Sequence, residues 1–328
     1  MKKTAFVTGA TGFLGINLVQ QLLEAGWEVT ALHRKSSNLT YLKRFDVVLK
    51  EGAITDKDSL MAAIPEGVDA VFHVAASTAM WSKQNDTQFL DNVIGTRNMV
   101  EVALAKKAKR FVHTSSVAAF GQNPNEIDET SKSIAMESPV NYVKTKYLAE
   151  LEVDKAIANG LDAVLVNPCD IMGPFDSHNW AQVIQAVYND DVPGIPPGNG
   201  IFCHVKDVAR GHIAAYEKGR TGERYLLGGV SATFKEVFNT IQRLMDKKET
   251  QFVMPALLMK AVIPFYSLQS KLNGKEPILT LEKYLELTIP KHVNCQKAID
   301  ELGFAITPLD ETIRDSYEWL KKENLLTR

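Results

Sequence analysis

Long hydrophobic runs are missing from this 328-residue sequence. Its most apolar stretch, Met254 to Leu268, is broken by Pro255, Lys260 and Pro264 and falls short of the roughly 18 apolar residues that cross a bilayer. No membrane span is expected, and the stretch reads as a buried or lid helix. Cysteine is scarce: Cys169, Cys203 and Cys295 stand far apart with no CxxC pair, which excludes a disulfide framework and a paired-cysteine zinc site. No His, Cys, Asp or Glu cluster has ligand spacing, so no metal is expected. A charge excess is absent as well. With 37 basic and 39 acidic residues the net charge is −2. The densest basic cluster, Lys106, Lys107, Lys109 and Arg110, reads as a solvated helix end, so no nucleic-acid partner is expected. The opening Met1-Lys2-Lys3-Thr4-Ala5 runs into Phe6-Val7-Thr8-Gly9-Ala10-Thr11-Gly12, too interrupted for a signal core. A cytoplasmic location is expected.

What is present is the composition of a globular enzyme, 45% apolar and 23% charged. Short β-branched runs alternate with longer helical patterns, the rhythm of a parallel α/β sheet. Strands are expected at Thr4 to Thr8, Trp27 to Leu32, Asp46 to Leu49, Ala70 to Ala75, Arg110 to Ser115 and Ala163 to Asn167, with seven a plausible total. Helices are expected at Phe13 to Ala25, 56 to 63, 86 to 107 and 139 to 158. After Asn167 the rhythm breaks into a loop-rich stretch holding Pro168, Pro174, Pro193, Pro196 and Pro197. It returns from Phe202 to Gly228 with a helix that Asp207 could cap. The expectation is a doubly wound parallel sheet, a Rossmann fold, over 1–167 and about 201–228. A smaller, mainly C-terminal substrate-binding domain would take about 168–200 and 229–328.

Thr8-Gly9-Ala10-Thr11-Gly12-Phe13-Leu14-Gly15 follows the first strand and opens the first helix, the setting of a dinucleotide-binding turn. Gly9 permits the tight turn, Gly12 lets backbone approach a pyrophosphate, and Gly15 packs helix on strand, while the helix N-terminus supplies amide donors. An NAD-binding carboxylate is missing where the second strand ends. His33-Arg34-Lys35 stands there instead, and a guanidinium suits a 2′-phosphate, so NADP is expected. The alternative for Arg34 is a solvated loop charge.

Tyr142 and Lys146 lie four residues apart on one helix face, with Ser138 the expected N-cap and Pro139 the first helical residue. Tyr317 and Lys321 repeat the spacing in the last helix and read as surface residues. The pair at 142 follows the strand that ends at Thr114-Ser115-Ser116, and the carboxyl edge of a parallel sheet is where ligands bind. Four further stretches stand beside these: Asp69 to Ala76 (DAVFHVAA), Asn92 to Asn98 (NVIGTRN), His204 to Arg210 (HVKDVAR) and Gly222 to Gly229 (GERYLLGG). With them the chain resembles, over essentially its whole length, the extended short-chain dehydrogenase/reductase superfamily. It is most similar to the dihydroflavonol-reductase-like branch of the NAD-dependent epimerase/dehydratase family.

The resemblance implies that Ser116 polarises a substrate carbonyl, Tyr142 donates its proton, and Lys146 holds the cofactor ribose. Asn92 joins a relay near Lys146, unless it only caps or kinks its helix. It implies cofactor contacts at Gly9, Thr11, Gly12, Phe13, Leu14, Gly15, Arg34, Ala75, Lys146 and Pro168. Tyrosine titrates near about 10, and lowering it towards neutrality costs about 3 to 4 kcal/mol, which an ammonium at roughly 4 Å supplies at an effective dielectric near 20. The acidic residue that many relatives use to hold adenine is absent from Gly52-Ala53-Ile54. Val117-Ala118 after Ser116 replaces the Asp-Glu of the dehydratases, which removes dehydration. What remains is an NADPH-dependent reductase of a carbonyl on a hydrophobic small molecule. The alternatives are a sugar-nucleotide epimerase using Arg210 and Arg220, and a non-catalytic NADP-binding regulator. Trp81, Phe120, Asp170, Phe175 and Phe202 are the expected substrate residues, with Ser77, Thr78, Met80 and Trp180 in the same loops. His73 reads as a structural histidine. A homodimer through the helices near 86 to 107 and 139 to 158 is the expected assembly, if there is one.

Overall fold

The computed structural model describes residues 2–123, 125–192 and 194–327; Pro193 and Met1 lie outside it. Among the described residues, seven parallel strands form one sheet in the order β3-β2-β1-β4-β5-β6-β9. They are β1 (Thr4–Thr8), β2 (Glu28–His33), β3 (Val48–Glu51), β4 (Ala70–His73), β5 (Arg110–Thr114), β6 (Ala163–Pro168) and β9 (Arg224–Leu227). Alternate residues of each strand feed two cores. Ala5, Val7, Phe72, Val112 and Val164 face α1 (Phe13–Glu24) and α7 (Val205–Lys218). Phe6, Val71, Phe111 and Leu165 face α2 (Lys57–Ala63), α4 (Gly95–Ala105) and α5 (Asn141–Ala158). This is the expected doubly wound sheet. Its strand order reverses between β1 and β4, which opens a crevice at their carboxyl ends.

Several boundaries differ from the sequence expectation for identifiable reasons. The helix expected over 86 to 107 is α3 (Asn85–Phe89), a π-helical turn at Leu90–Ile94, then α4. Helix α5 starts at Asn141, because Ser138 belongs to the preceding turn: it donates to Gln122 Oε1 (2.8 Å) and accepts from the Val140 N–H (3.0 Å). Asp207 does not cap α7. The His204 ring takes that role, accepting from the Lys206 N–H, while Asp207 is buried against Arg210 and the Thr307 N–H.

A second sheet, β10-β8-β7, is built from β7 (Asp170–Met172), β8 (Asn199–His204) and β10 (Val230–Thr233). Residues 201–204, expected in the large domain, therefore belong to this sheet, where β8 pairs antiparallel with β10. It packs with α6 (Trp180–Tyr188), α8 (Phe234–Leu244) and α11 (Leu309–Lys322) around Phe202, Phe234, Ile241 and Trp319. The chain returns to the large core near its end, where Ala298, Leu302 and Phe304 are buried beside Tyr225 and Leu227. Helices α9 (Ala256–Asn273) and α10 (Leu281–Thr288) lie between. Helix α9 is not the buried helix its composition suggests, since only Met259 and Ser270 along it are buried.

Candidate active site

The crevice is a cavity of about 700 Å³ lined from Thr8 to Val293. One end is formed by the glycine turn. Gly9 has φ +68°, and a Cβ there would stand 2.7 Å from the Ala75 nitrogen; a Cβ on Gly15 would meet the Gly9 carbonyl oxygen at 2.1 Å. Glycine is required at both. No side chain caps α1, so its first-turn amides stay open towards the cavity. The expected cofactor residues Gly9, Thr11, Gly12, Phe13, Leu14, Gly15, Arg34, Ala75, Lys146 and Pro168 all line the cavity. An uncapped helix N-terminus behind a turn with no room for side chains fits a pyrophosphate.

Arg34 is exposed at this end, and among the described residues no carboxylate lies within ion-pairing distance of it. Asp91, which the sequence reading passed over, lines the same wall; burial raises its pKa and Arg34 opposes that. Its position on the π-helical turn carries no local sequence signal. Ala53 and its neighbours Gly52, Ile54 and Thr55 also line the cavity. The Ala53 N–H is engaged by Ser59 Oγ.

At the centre stand Ser116, Tyr142 and Lys146. Ser116 ends the loop after β5, and its Oγ accepts from the Ala118 N–H at 3.2 Å. Burial raises the Tyr142 pKa above that of a free tyrosine, and the Ser116 hydroxyl opposes the shift. The nearby charges are Glu286, Lys291 and Asp170, of which only Lys291 lowers it. Lys146 was expected to supply that lowering, but its Nζ donates to the Thr114 carbonyl at 2.8 Å. Burial brings Lys146 down to about 8, and Glu150 resists the change.

Beneath this centre lies a network that the sequence reading did not find. Glu150 accepts from Ser115 Oγ (2.5 Å), Asn167 Nδ2 (2.6 Å) and Arg224 Nε (2.9 Å), and Asn167 Nδ2 also donates to the Ser116 carbonyl (3.0 Å). The network fixes the Ser115-Ser116 backbone. Glu150 is one turn beyond Lys146, a spacing that could have signalled it.

Asn92 does not line the cavity. It sits in the π-helical turn, where its side chain accepts from the Ser77 N–H and donates to the Ser77 carbonyl and Thr145 Oγ1. Its own carbonyl takes the Thr96 hydroxyl. It clamps the loop after β4, and among the described residues it makes no hydrogen bond to Lys146. His73 is buried between Thr8 Oγ1 and Thr96 Oγ1, and burial lowers it to about 3, with the Lys146 charge adding to the effect.

Of Trp81, Phe120, Asp170, Phe175 and Phe202, Asp170 alone lines the cavity. Phe120 packs with Ile127, Leu226 and Cys295. Phe175 packs edge-on against Tyr41 and tilted against Trp319, and Phe202 is buried between Trp180 and Phe234. Trp81 lies outside the cavity, with Lys83 over its ring. Thr78, Met80 and Trp180, expected in the same loops, do line the cavity, and the wall is completed by Val117, Ile127 and the segment from Leu285 to Val293. Lys291 was missed: its Nζ lies 3.0 Å from Glu286 and 3.6 Å from Asp170. Burial works against its charge, but the two carboxylates outweigh burial and raise its pKa.

Fold and cleft together define a dinucleotide-binding α/β enzyme. The chain belongs to the NAD dependent epimerase/dehydratase family, whose sequence model matches residues 5–228. It is 30% identical to a Synechocystis sp. protein that carries the name of dihydroflavonol 4-reductase, over 96% of this chain and 94% of that one. It is 29% identical to cinnamoyl-CoA reductase 1 of Oryza sativa subsp. japonica, over 75% of this chain and 77% of that one. Among solved structures it is similar to gox2253, with a TM-score of 0.87 and 30% identity over 99% of this chain and all of that one. The chain is an extended short-chain dehydrogenase/reductase and an oxidoreductase.

Proposed function

We propose that this chain uses NADPH to reduce the carbonyl of a hydrophobic small molecule, with Tyr142 as proton donor. The reading is carried by one observation: Ser116 and Tyr142 line the cavity together, between the glycine turn and an apolar wall. A carbonyl oxygen placed between them accepts from both. Ser116 holds and polarises it, and Tyr142 gives up its proton as the oxygen gains charge. NADPH, when bound, supplies the hydride. Lys146 is poised for the ribose by turning its ammonium from the Thr114 carbonyl. Arg34, in no ion pair among the described residues though near Asp91, takes the 2′-phosphate.

Charge placement favours this over the epimerase reading. A nucleotide diphosphate needs free cations at the substrate end, yet Lys291 there is held by two carboxylates. Arg210 pairs with Asp207 and Arg220 with Glu301, and neither lines the cavity. The complete Ser116, Tyr142 and Lys146 set likewise argues against a regulator without chemistry. Three unpaired cysteines suit the cytoplasm.

The test is NADPH oxidation with a panel of apolar aldehydes and ketones, run beside Tyr142→Phe. Turnover should fall well below about a tenth while NADPH affinity stays within about twofold. No NADPH consumption by the wild type, or a Tyr142→Phe enzyme above that tenth, overturns the proposal.

A further inference from the structure

Helix α9 has its apolar face outward. At 100° per residue, Leu257, Phe265, Leu268 and Leu272 fall on one stripe, and these are 81%, 66%, 59% and 82% exposed. Met259 and Ser270, on the opposite side, are the residues that the fold buries. A globular helix does the reverse, and a contiguous exposed stripe of this kind marks an interaction surface. Ile278, 69% exposed just beyond the Gly274 cap, extends the patch.

The charges around the stripe select its partner. From Thr250 to Lys275 there is no Asp or Glu, while Lys260 and Lys271 flank the stripe on one edge and Lys275 follows the helix. Among the described residues none of the three is in an ion pair. A second copy docked here around a two-fold axis would bring two such rims into one interface with no carboxylate between them. A bilayer surface meets the pattern better. Apolar side chains reach the acyl boundary while the lysines extend to anionic headgroups. No helix of the described residues is long and apolar enough to cross a membrane, so α9 would lie in the plane of the surface.

We propose that α9 docks this protein on lipid bilayers that carry anionic headgroups. Helix α9 packs on α10, whose Leu285 and Glu286 line the cavity, so the bound surface lies one helix away from the cleft wall. Docking itself does not depend on the catalytic reading, and its test needs no turnover.

The experiment is co-sedimentation of the full chain with phosphatidylcholine vesicles made with or without phosphatidylglycerol. Binding should require phosphatidylglycerol and weaken with salt. Leu268→Gln/Leu272→Gln should reduce it more than about tenfold, and each of Lys260→Gln and Lys271→Gln about fivefold. These positions are on the surface, so thermal melting should be unchanged, which separates lost docking from lost folding. The proposal is overturned if the wild type stays in solution with both vesicle types or binds phosphatidylcholine equally well. It is also overturned if ultracentrifugation shows a dimer that Leu268→Gln/Leu272→Gln dissociates.

Discussion

The Ser115 hydroxyl donates to the Glu150 carboxylate at 2.5 Å beneath the cleft, while the next hydroxyl in the chain, Ser116, accepts from the Ala118 N–H and lines the cavity with Tyr142. Two adjacent serines thus have separable roles. Ser116→Ala should lower kcat by about 10² to 10³ with little change in melting temperature. Ser115→Ala leaves Glu150 its bonds to Asn167 and Arg224, so kcat should stay within about threefold while stability drops by about 1 kcal/mol. Steady-state kinetics and melting on both variants check this, and the opposite pattern would exchange the assignments.

Cofactor choice follows from Arg34 and its neighbour Asp91. A charge-assisted bond to a 2′-phosphate contributes about ten- to a hundredfold in affinity. Arg34→Ala should weaken NADPH by that factor and leave NADH nearly alone, and Arg34→Asp should invert the preference. Asp91 competes for the same guanidinium, so Asp91→Asn should tighten NADPH a few-fold without affecting NADH. The measurement is kcat/KM for both cofactors at fixed ionic strength. Equal wild-type values for the two cofactors would reduce Arg34 to a solvated charge.

The pH profile should report Lys146. Burial lowers its pKa to about 8, so its charge is present below that pH and lost above it. For the free enzyme, kcat/KM should therefore fall on the alkaline side with an apparent pKa near 8. Tyr142, held above its ordinary value, is not the group on that limb. Glu150 opposes the lowering of Lys146, so Glu150→Gln should move the limb to lower pH. Profiles from about pH 6 to about pH 10 decide the matter; a limb that does not move assigns it to another group.

Lys291 is the cation that lowers Tyr142, and Glu286 opposes it. Lys291→Met should reduce kcat by about tenfold with NADPH affinity intact. The double variant Lys291→Met/Glu286→Gln should recover part of that loss, because one opposing carboxylate leaves with the cation. A purely structural Lys291 would shift melting temperature and show no such recovery in kcat.

How much was legible depended on range along the chain. The glycine turn and the Tyr142/Lys146 pair are local patterns, and six strands of the large sheet announce themselves as short β-branched runs, so these were readable, whereas β9 and the strands of the second sheet were not. Phe120, Phe175 and Phe202 were not, because an aromatic in a loop looks the same whether it lines a cavity or plugs a core. Only the neighbours decide, and Trp319 comes from the last helix. Lys291 meets Asp170 across about 120 residues of chain, beside a clamp between Asn199 and the Lys291 backbone, which no short window contains. The extra residue in the π-helical turn turns Asn92 towards the Ser77 loop, a geometry that helical periodicity does not anticipate.

The return of Ala298, Leu302 and Phe304 to the large core bears on how the chain is made. These side chains cover α7 and the sheet's edge strand β9, so a ribosome that has reached residue 228 has delivered every strand of the sheet but not its last apolar cover. The exposed surface must then wait for about 75 more residues, some 4 to 15 seconds at ordinary synthesis rates, before the first domain can close. During that interval the nascent chain is an apt client for a chaperone, and a stop codon before residue 298 truncates more than the second domain.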